Sequence, residues 1–222
     1  MEKNQAQCSI LRVGDIRILL DCGCDEGAME QEAGANSDSS LQKVVEAAKD
    51  CHFIFLSHST YMQMGALPHL HKLGLLSHIQ AILATSPVAK VGAQTIYEFA
   101  IQKKEMSKFD AYSLQNVEAA FEKIQLVSFN ENKRLKFKDT ELIVQAVPSG
   151  NCIGGSAWKI EYNKQTIMYA LELNDKPMQL TPPLHVDSFK NVNILITNAY
   201  LKNSGQAALP TGTQCQGVKG VS

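Results

Sequence analysis

The sequence predicts an α/β protein of the α+β sandwich kind, with two mixed sheets packed between helices. Three observations carry this. Two continuous apolar runs, "HFIFLS" at 52–57 and "IQAILAT" at 79–85, have the length and composition of strands covered on both faces. Amphipathic segments alternate with these runs. From about residue 125 the texture changes to a series of short strands.

Taken in order, "CSILRV" and "IRILLD" read as a hairpin, with Gly14-Asp15 as the tight-turn pair. "LLDCGCDEG" ends the second strand in a loop of small residues, and the polar stretch "EQEAGANSDSS" reads as a mobile loop. "SSLQKVVEAAKD" has Ser39 and Gln42 at capping-box spacing and Leu41, Val44, Val45 and Ala48 on one face, so a helix is expected. Ser86 and Pro87 open another helix, "SPVAKVGAQTIYEFAIQKKE", as N-cap and first-turn proline. "SLQNVEAAFEKI" is a third. "LVSF", "RLKFK", "ELIVQAVP", "SAWKIEY" and "TIMYALEL" follow as strands, with Asn163-Lys164 as a hairpin turn, and "NVNILIT" as a last buried strand. From Ser204 the chain is rich in Gly, Ser, Thr and Gln without periodicity. The organisation expected is therefore a domain over 1–203 and a disordered or aberrant tail over 204–222.

Composition narrows the function. The 222 residues are 45% hydrophobic, enough for one large core, and carry a formal net charge of −1. The first fifty residues hold ten Asp/Glu against five Lys/Arg, so no global basic field is available to hold nucleic acid. The six cysteines include no CxxC pair and read as reduced thiols of an intracellular protein. The polar start "MEKNQAQ" is no signal peptide, and no apolar stretch nears the roughly twenty residues needed to span a bilayer.

The lip of the strand "FIFL" is where chemistry is expected. A loop of the form H-x-H-x-D-H would deliver four ligands to a pair of zinc ions. Here the six residues are His58, Ser59, Thr60, Tyr61, Met62 and Gln63. Only His58 is a ligand type; Thr60, Met62 and Gln63 stand where a second His, an Asp and a third His would be needed.

The order of segments resembles the metallo-β-lactamase family in its β-CASP branch, which handles nucleic acids. "LLDCGCDEG" resembles that family's first motif, with Asp21 at its Asp. "FLSHSTYMQMGALPHL" resembles the second, "VPSGNCIGGSAWKI" the third with Asn151 at its His, and "MYALELND" the fourth with Glu172 where an Asp bridges the metals. Within the branch, "LLDCGCDE", "AAFEKIQLVSF", "IGGSAWKI" and "ILITNAY" resemble, in order, stretches of the non-catalytic subunits of the cleavage and polyadenylation specificity factor. The resemblance covers roughly residues 7–202. It implies an αββα fold, incomplete at the C-terminus because the β-CASP insertion and the returning strands are not in this chain, and a second sheet with an open apolar edge. It also implies a degraded metal site: no catalytic residue, no metal and no cofactor, with Asp21, His58, Thr60, Met62, Gln63, Asn151 and Glu172 as vestigial ligand positions. The expected role is that of a pseudo-nuclease in the nucleus, scaffolding an active nuclease paralogue and other cleavage and polyadenylation subunits. RNA contact would be indirect and membrane contact absent. An active metal-dependent hydrolase or nuclease with an unusual ligand set, an Integrator-type pseudo-nuclease subunit and a non-functional truncated duplicate are the alternatives.

The remaining features have plainer readings. His58 reads as a hydrogen-bonded loop histidine, Asp21 as a cap for backbone N–H groups, and Glu172 as reaching solvent or pairing with a base. Gly150, Gly154 and Gly155 permit a tight loop. His69, His71 and His78 read as surface residues on and after a short helix. "KRLKFK" (133–138) reads as the solvated face of a hairpin with RNA contact as its rival, and Trp158 as core.

Overall fold

The computed structural model describes residues 6–25, 40–106 and 111–198. Ser39, most of the polar loop before it, the last residues of "ILITNAY" and the 204–222 tail lie outside these described residues.

The first sheet is built in chain order from β1 (Ser9–Val13), β2 (Ile16–Leu20), β3 (Phe53–Phe55), β4 (Ala81–Thr85) and β5 (Ile124–Val127). β1 and β2 form the expected antiparallel hairpin, and every later pairing is parallel. β3 and β4 are buried along their whole length, as their unbroken apolar runs require.

Five helices lie on one face of this sheet: α1 (Ser40–Lys49), α2 (Tyr61–Met64), α3 (Leu67–Lys72), α4 (Ser86–Met106) and α5 (Leu114–Glu122). Their apolar faces meet Leu19, Ile54, Leu56, Ile82 and Ala84 in one core, joined by Val44, Leu70, Val88, Ile96 and Val117. α5 opens on a capping box. The Ser113 hydroxyl accepts from the Asn116 N–H at 3.2 Å, and the Asn116 side chain accepts from the Ser113 N–H at 2.9 Å.

The second sheet has the order β10-β9-β8-β7-β6, from β6 (Lys133–Phe137), β7 (Thr140–Pro148), β8 (Ser156–Tyr162), β9 (Gln165–Tyr169) and β10 (Ile194–Ile196). β6 to β9 are antiparallel neighbours, whereas β10 joins β9 in parallel. The inner faces of both sheets share a second core of Ile16, Ile18, Phe53, Phe55, Leu142, Val144, Trp158, Ile160 and Tyr169. Trp158 is fully buried, tilts against Phe55 at 4.9 Å and donates its indole N–H to the Leu56 carbonyl at 3.3 Å, tying the sheets together.

Three expectations need correction. "NVNILIT" is not a buried strand. It is a three-residue edge strand bonded on one side only, with Ile194 49% and Leu195 52% exposed. The strand expected from "TIMYALEL" stops at Tyr169, and at Glu172 the backbone turns left-handed, with φ +49°. His69 and His71 are half-buried rather than surface residues, and a His69 ring nitrogen bonds to the Ala111 carbonyl ahead of α5. The outer face of the second sheet carries no α-helix among the described residues. Its small patch of Ala157, Met168 and Ala170 is covered by Phe189 and Val192 from the irregular segment before β10.

Candidate functional site: a hydrogen-bonded strand-end network

The loops that follow β2, β3, β7 and β9 meet at one end of the sandwich. Asp21 comes first after β2; Ser57 and His58 follow β3; Ser149 follows β7; Glu172 lies three residues past β9. Parallel β2 and β3 deliver their loops to the same end, and the glycine loop between β7 and β8 comes over from the other sheet. That loop is tight for steric reasons. Gly150 (φ +80°) and Gly154 (φ +78°) are left-handed, and a Cβ on either would strike the Asn174 carbonyl or Pro87.

Asp21 is fully buried and itself left-handed, with φ +59°. It accepts three hydrogen bonds: from the Ser57 N–H at 2.7 Å, the Ser57 hydroxyl at 2.6 Å and the Tyr169 hydroxyl at 2.7 Å. Loss of hydration pushes its carboxyl up to about 7 even though the three donors act in the opposite sense. The same burial, with Asp21 beside it, raises the Tyr169 phenol, which stays protonated and donates.

His58 is also fully buried, and both of its ring nitrogens have partners. Nδ1 lies 2.9 Å from Ser57 Oγ and Nε2 lies 3.1 Å from Ser149 Oγ. Since the Ser57 hydroxyl donates to Asp21, Nδ1–H donates to Ser57; with the ring neutral, Nε2 then accepts from the Ser149 hydroxyl. Burial lowers the His58 pKa, with the Glu172 charge opposing, so a neutral ring is also the electrostatically consistent form.

Of the other five positions, Thr60, Gln63, Asn151 and Glu172 form a second cluster. Thr60 donates to the Gln63 side-chain carbonyl. The Gln63 amide donates to Glu172 Oε1 at 2.9 Å, and the Asn151 amide donates to Oε2 at 2.9 Å. Glu172 therefore neither reaches free into solvent nor pairs with a base, as the sequence reading had it. The extra methylene brings both oxygens to two amide donors. Met62 is not bonded into this cluster; its backbone carbonyl accepts from the Gln7 N–H at 2.7 Å.

These donors do not fit the metal pair that the family's four motifs would otherwise hold. Thr60, Met62, Gln63 and Asn151 offer no imidazole or carboxylate, the Glu172 oxygens are held by amides, and both His58 nitrogens are bonded to serines. Among the described residues no group of three or more His, Cys, Asp and Glu side chains is placed to hold a metal ion. His69, His71 and His78 do not join the site.

Three residues of the network have no counterpart in the sequence reading: Ser57, Ser149 and Tyr169. Each adjoins or lies within a quoted motif, in "LSH", "VPSGN" and "MYALEL". None is a metal-ligand type, so a search for ligands passes over them.

Comparison with known proteins places the chain. Residues 10–195 match the metallo-beta-lactamase superfamily domain. The chain is 36% identical over 202 residues to the probable cleavage and polyadenylation specificity factor subunit 2 of Drosophila melanogaster, which covers 90% of this chain and 25% of that protein. It is 31% identical over 198 residues to cleavage and polyadenylation specificity factor subunit 2 of Oryza sativa subsp. japonica, covering 87% and 25%. Cleavage factor two protein 2 of Schizosaccharomyces pombe is 27% identical over 210 residues, covering 91% and 24%. The chain thus spans about a quarter of the length of these relatives. A solved structure described as a B3 metallo-beta-lactamase with an active-site glutamic acid superposes with TM-score 0.47 at 14% identity, covering 90% of this chain and 74% of that one. The chain belongs to the metallo-beta-lactamase superfamily, and its sequence is similar to that of cleavage and polyadenylation specificity factor subunit 2 along nearly its whole length.

Proposed function

We propose that this chain is the metallo-beta-lactamase-like part of a catalytically inactive subunit of the mRNA 3′-end cleavage and polyadenylation machinery. It acts in the nucleus as a scaffold for an active nuclease paralogue and its partner subunits. One observation carries the reading: at the strand-end site every polar group that a metal would need is already bonded to another protein group, and the Glu172 carboxylate is held by the amides of Gln63 and Asn151. Hydrolysis of a phosphodiester by this fold needs a metal-activated water, and a site closed by serine hydroxyls and amides offers nothing to generate one. The similarity to subunit 2 proteins supports the complex to which the chain is assigned.

The test has two arms. Purified protein is incubated with Zn²⁺ or Mn²⁺, dialysed, and assayed for bound metal by elemental analysis and for cleavage of a labelled RNA. The expected result is less than 0.1 equivalent of metal and no turnover. In cells, the tagged chain is expected to co-purify with the nuclease subunit. A turnover that is lost with chelator, restored by metal and abolished by His58→Ala would overturn the inactive reading. Failure to retain the nuclease would overturn the scaffold.

A further inference from the structure

A cavity of about 350 Å³ opens at the other end of the sandwich, within the size range of small-ligand sites. Its walls come from the turn end of the β1–β2 hairpin, the end of α1, the entry to β3, the segment before β4 and the β6–β7 turn, and include Arg12, Arg17, His52, His78, Phe137 and Lys138. β2 and β3 run in parallel from this cavity to the network, so His52 and His58 lie at opposite ends of one strand, up to roughly 20 Å apart along it. The cavity is no part of the Asp21 site.

Its chemistry is specific. Four cationic side chains line it, with Lys49 added to Arg12, Arg17 and Lys138, against two carboxylates, Asp15 and Asp50. Asp50 is already engaged by Arg17 at 2.7 Å. Arg12 and Lys138 are exposed and have no carboxylate partner among the described residues; Lys138 Nζ lies over the Phe137 ring, 5.5 Å from its centroid. Between the cations lies a flat aromatic pair, His52 and Phe137, stacked with centroids 3.7 Å apart and 25° between planes. The His52 ring is fixed, because its Nδ1 accepts the Arg17 backbone N–H at 3.1 Å, which leaves the proton on Nε2. Burial lowers its pKa, with Arg17, Lys138 and His78 acting in the same sense, so the ring stacks as a neutral plate. The sequence "KRLKFK" thus separates into two parts. Most of its basic residues face solvent, but Phe137 and Lys138 turn into this cavity wall.

We propose that this cavity binds single-stranded nucleic acid, with a phosphate taken by Arg12 and Lys138 and a base laid against the Phe137–His52 pair. Cations beside a stacking plate are what a single strand requires, since every base has a π-face and every link a phosphate. A phosphopeptide would use the cations but not the plate.

The test is fluorescence anisotropy of the full chain with a labelled oligouridylate ten nucleotides long, across a salt series. Arg12→Gln combined with Lys138→Gln should weaken binding about tenfold and make the log–log salt slope shallower by about 1.4, two contacts at roughly 0.7 each. Both side chains are exposed, so the thermal melt should not move. Phe137→Leu keeps apolar volume and should weaken binding about fivefold with the slope unchanged. Lys90→Gln with Lys104→Gln on α4 should have no effect. Absence of binding at 50 mM salt, an equal loss in the α4 variant, insensitivity to the Arg12/Lys138 pair, or tighter binding of a phosphoserine peptide than of RNA would each overturn the proposal. Cleavage is not read in this assay, so the inactive-subunit reading stands or falls separately.

Discussion

Replacing Asp21 with Asn tests the electrostatics of the network directly. Asp21 is fully buried, and its carboxyl is pushed from the ordinary 3.8 up to about 7. A carboxyl with a folded pKa above its unfolded one holds its proton more tightly in the folded state. The folded state is therefore favoured at low pH, and that advantage is lost as pH rises from about 4 through about 7. At about 1.4 kcal/mol per pH unit, the distance from 3.8 to 7 corresponds to about 4 kcal/mol. Asn cannot ionise, tolerates a left-handed backbone and keeps an oxygen for the Ser57 N–H, while the Ser57 and Tyr169 hydroxyls can rotate to suit an amide. His58 opposes Asp21. Its lowered pKa gives stability that is present above about 6.5 and lost as pH falls, but it titrates in both proteins and cancels in the difference. Urea unfolding followed by Trp158 fluorescence, at intervals from pH 4.5 to 8.5, should show Asp21→Asn gaining on the parent by about 3–4 kcal/mol as pH rises. A difference constant to within about 1 kcal/mol, or one moving the other way, would refute the burial argument.

Tyr169→Phe removes one of three donors to Asp21 and should cost about 1–2 kcal/mol, read as a lower urea midpoint at pH 8 and a smaller loss at pH 5, where the carboxyl is protonated. Gly154→Val should cost at least about 1–3 kcal/mol in a thermal melt, because φ is +78° and the new Cβ would lie 2.6 Å from Pro87 Cβ; an unmoved melt would mean that the loop gives way freely. Cys22 and Cys24 are free thiols with no exposure, raised by burial, and should react with a thiol reagent only on the timescale of unfolding, whereas half-buried Cys152 should react before them.

Much of the framework was legible because local signals and burial agree. Gly14 sits at φ +56° in the β1–β2 turn, and the apolar runs of β3 and β4 are buried residue for residue. The exposure of β10 was not legible. An apolar triplet reads the same whether or not a neighbouring strand covers it. The strand-end positions Asp21, His58 and Glu172 could be picked out by motif, but not what holds them. Ser57 meets Asp21 across 36 residues, Ser149 meets His58 across 91 and Tyr169 meets Asp21 across 148. Contacts at such separations leave no periodicity in a sequence. Serine and tyrosine attract notice only once a carboxylate or imidazole is seen beside them.

Asp21 and Glu172 share an unusual trait: both are non-glycine residues in the left-handed region, at φ +59° and +49°. Each costs roughly 1 kcal/mol of backbone strain. Each also supplies acceptors that other groups need. These two demands together limit which substitutions can be tolerated over evolutionary time. β-branched residues fail the backbone, alanine fails the acceptors, and glycine relieves the strain but leaves two or three donors orphaned. A saturation library should retain little besides Asn at 21, and Asn or Gln at 172. An acidic residue can therefore stand at both positions for its hydrogen bonds alone, with no metal chemistry needed to account for it.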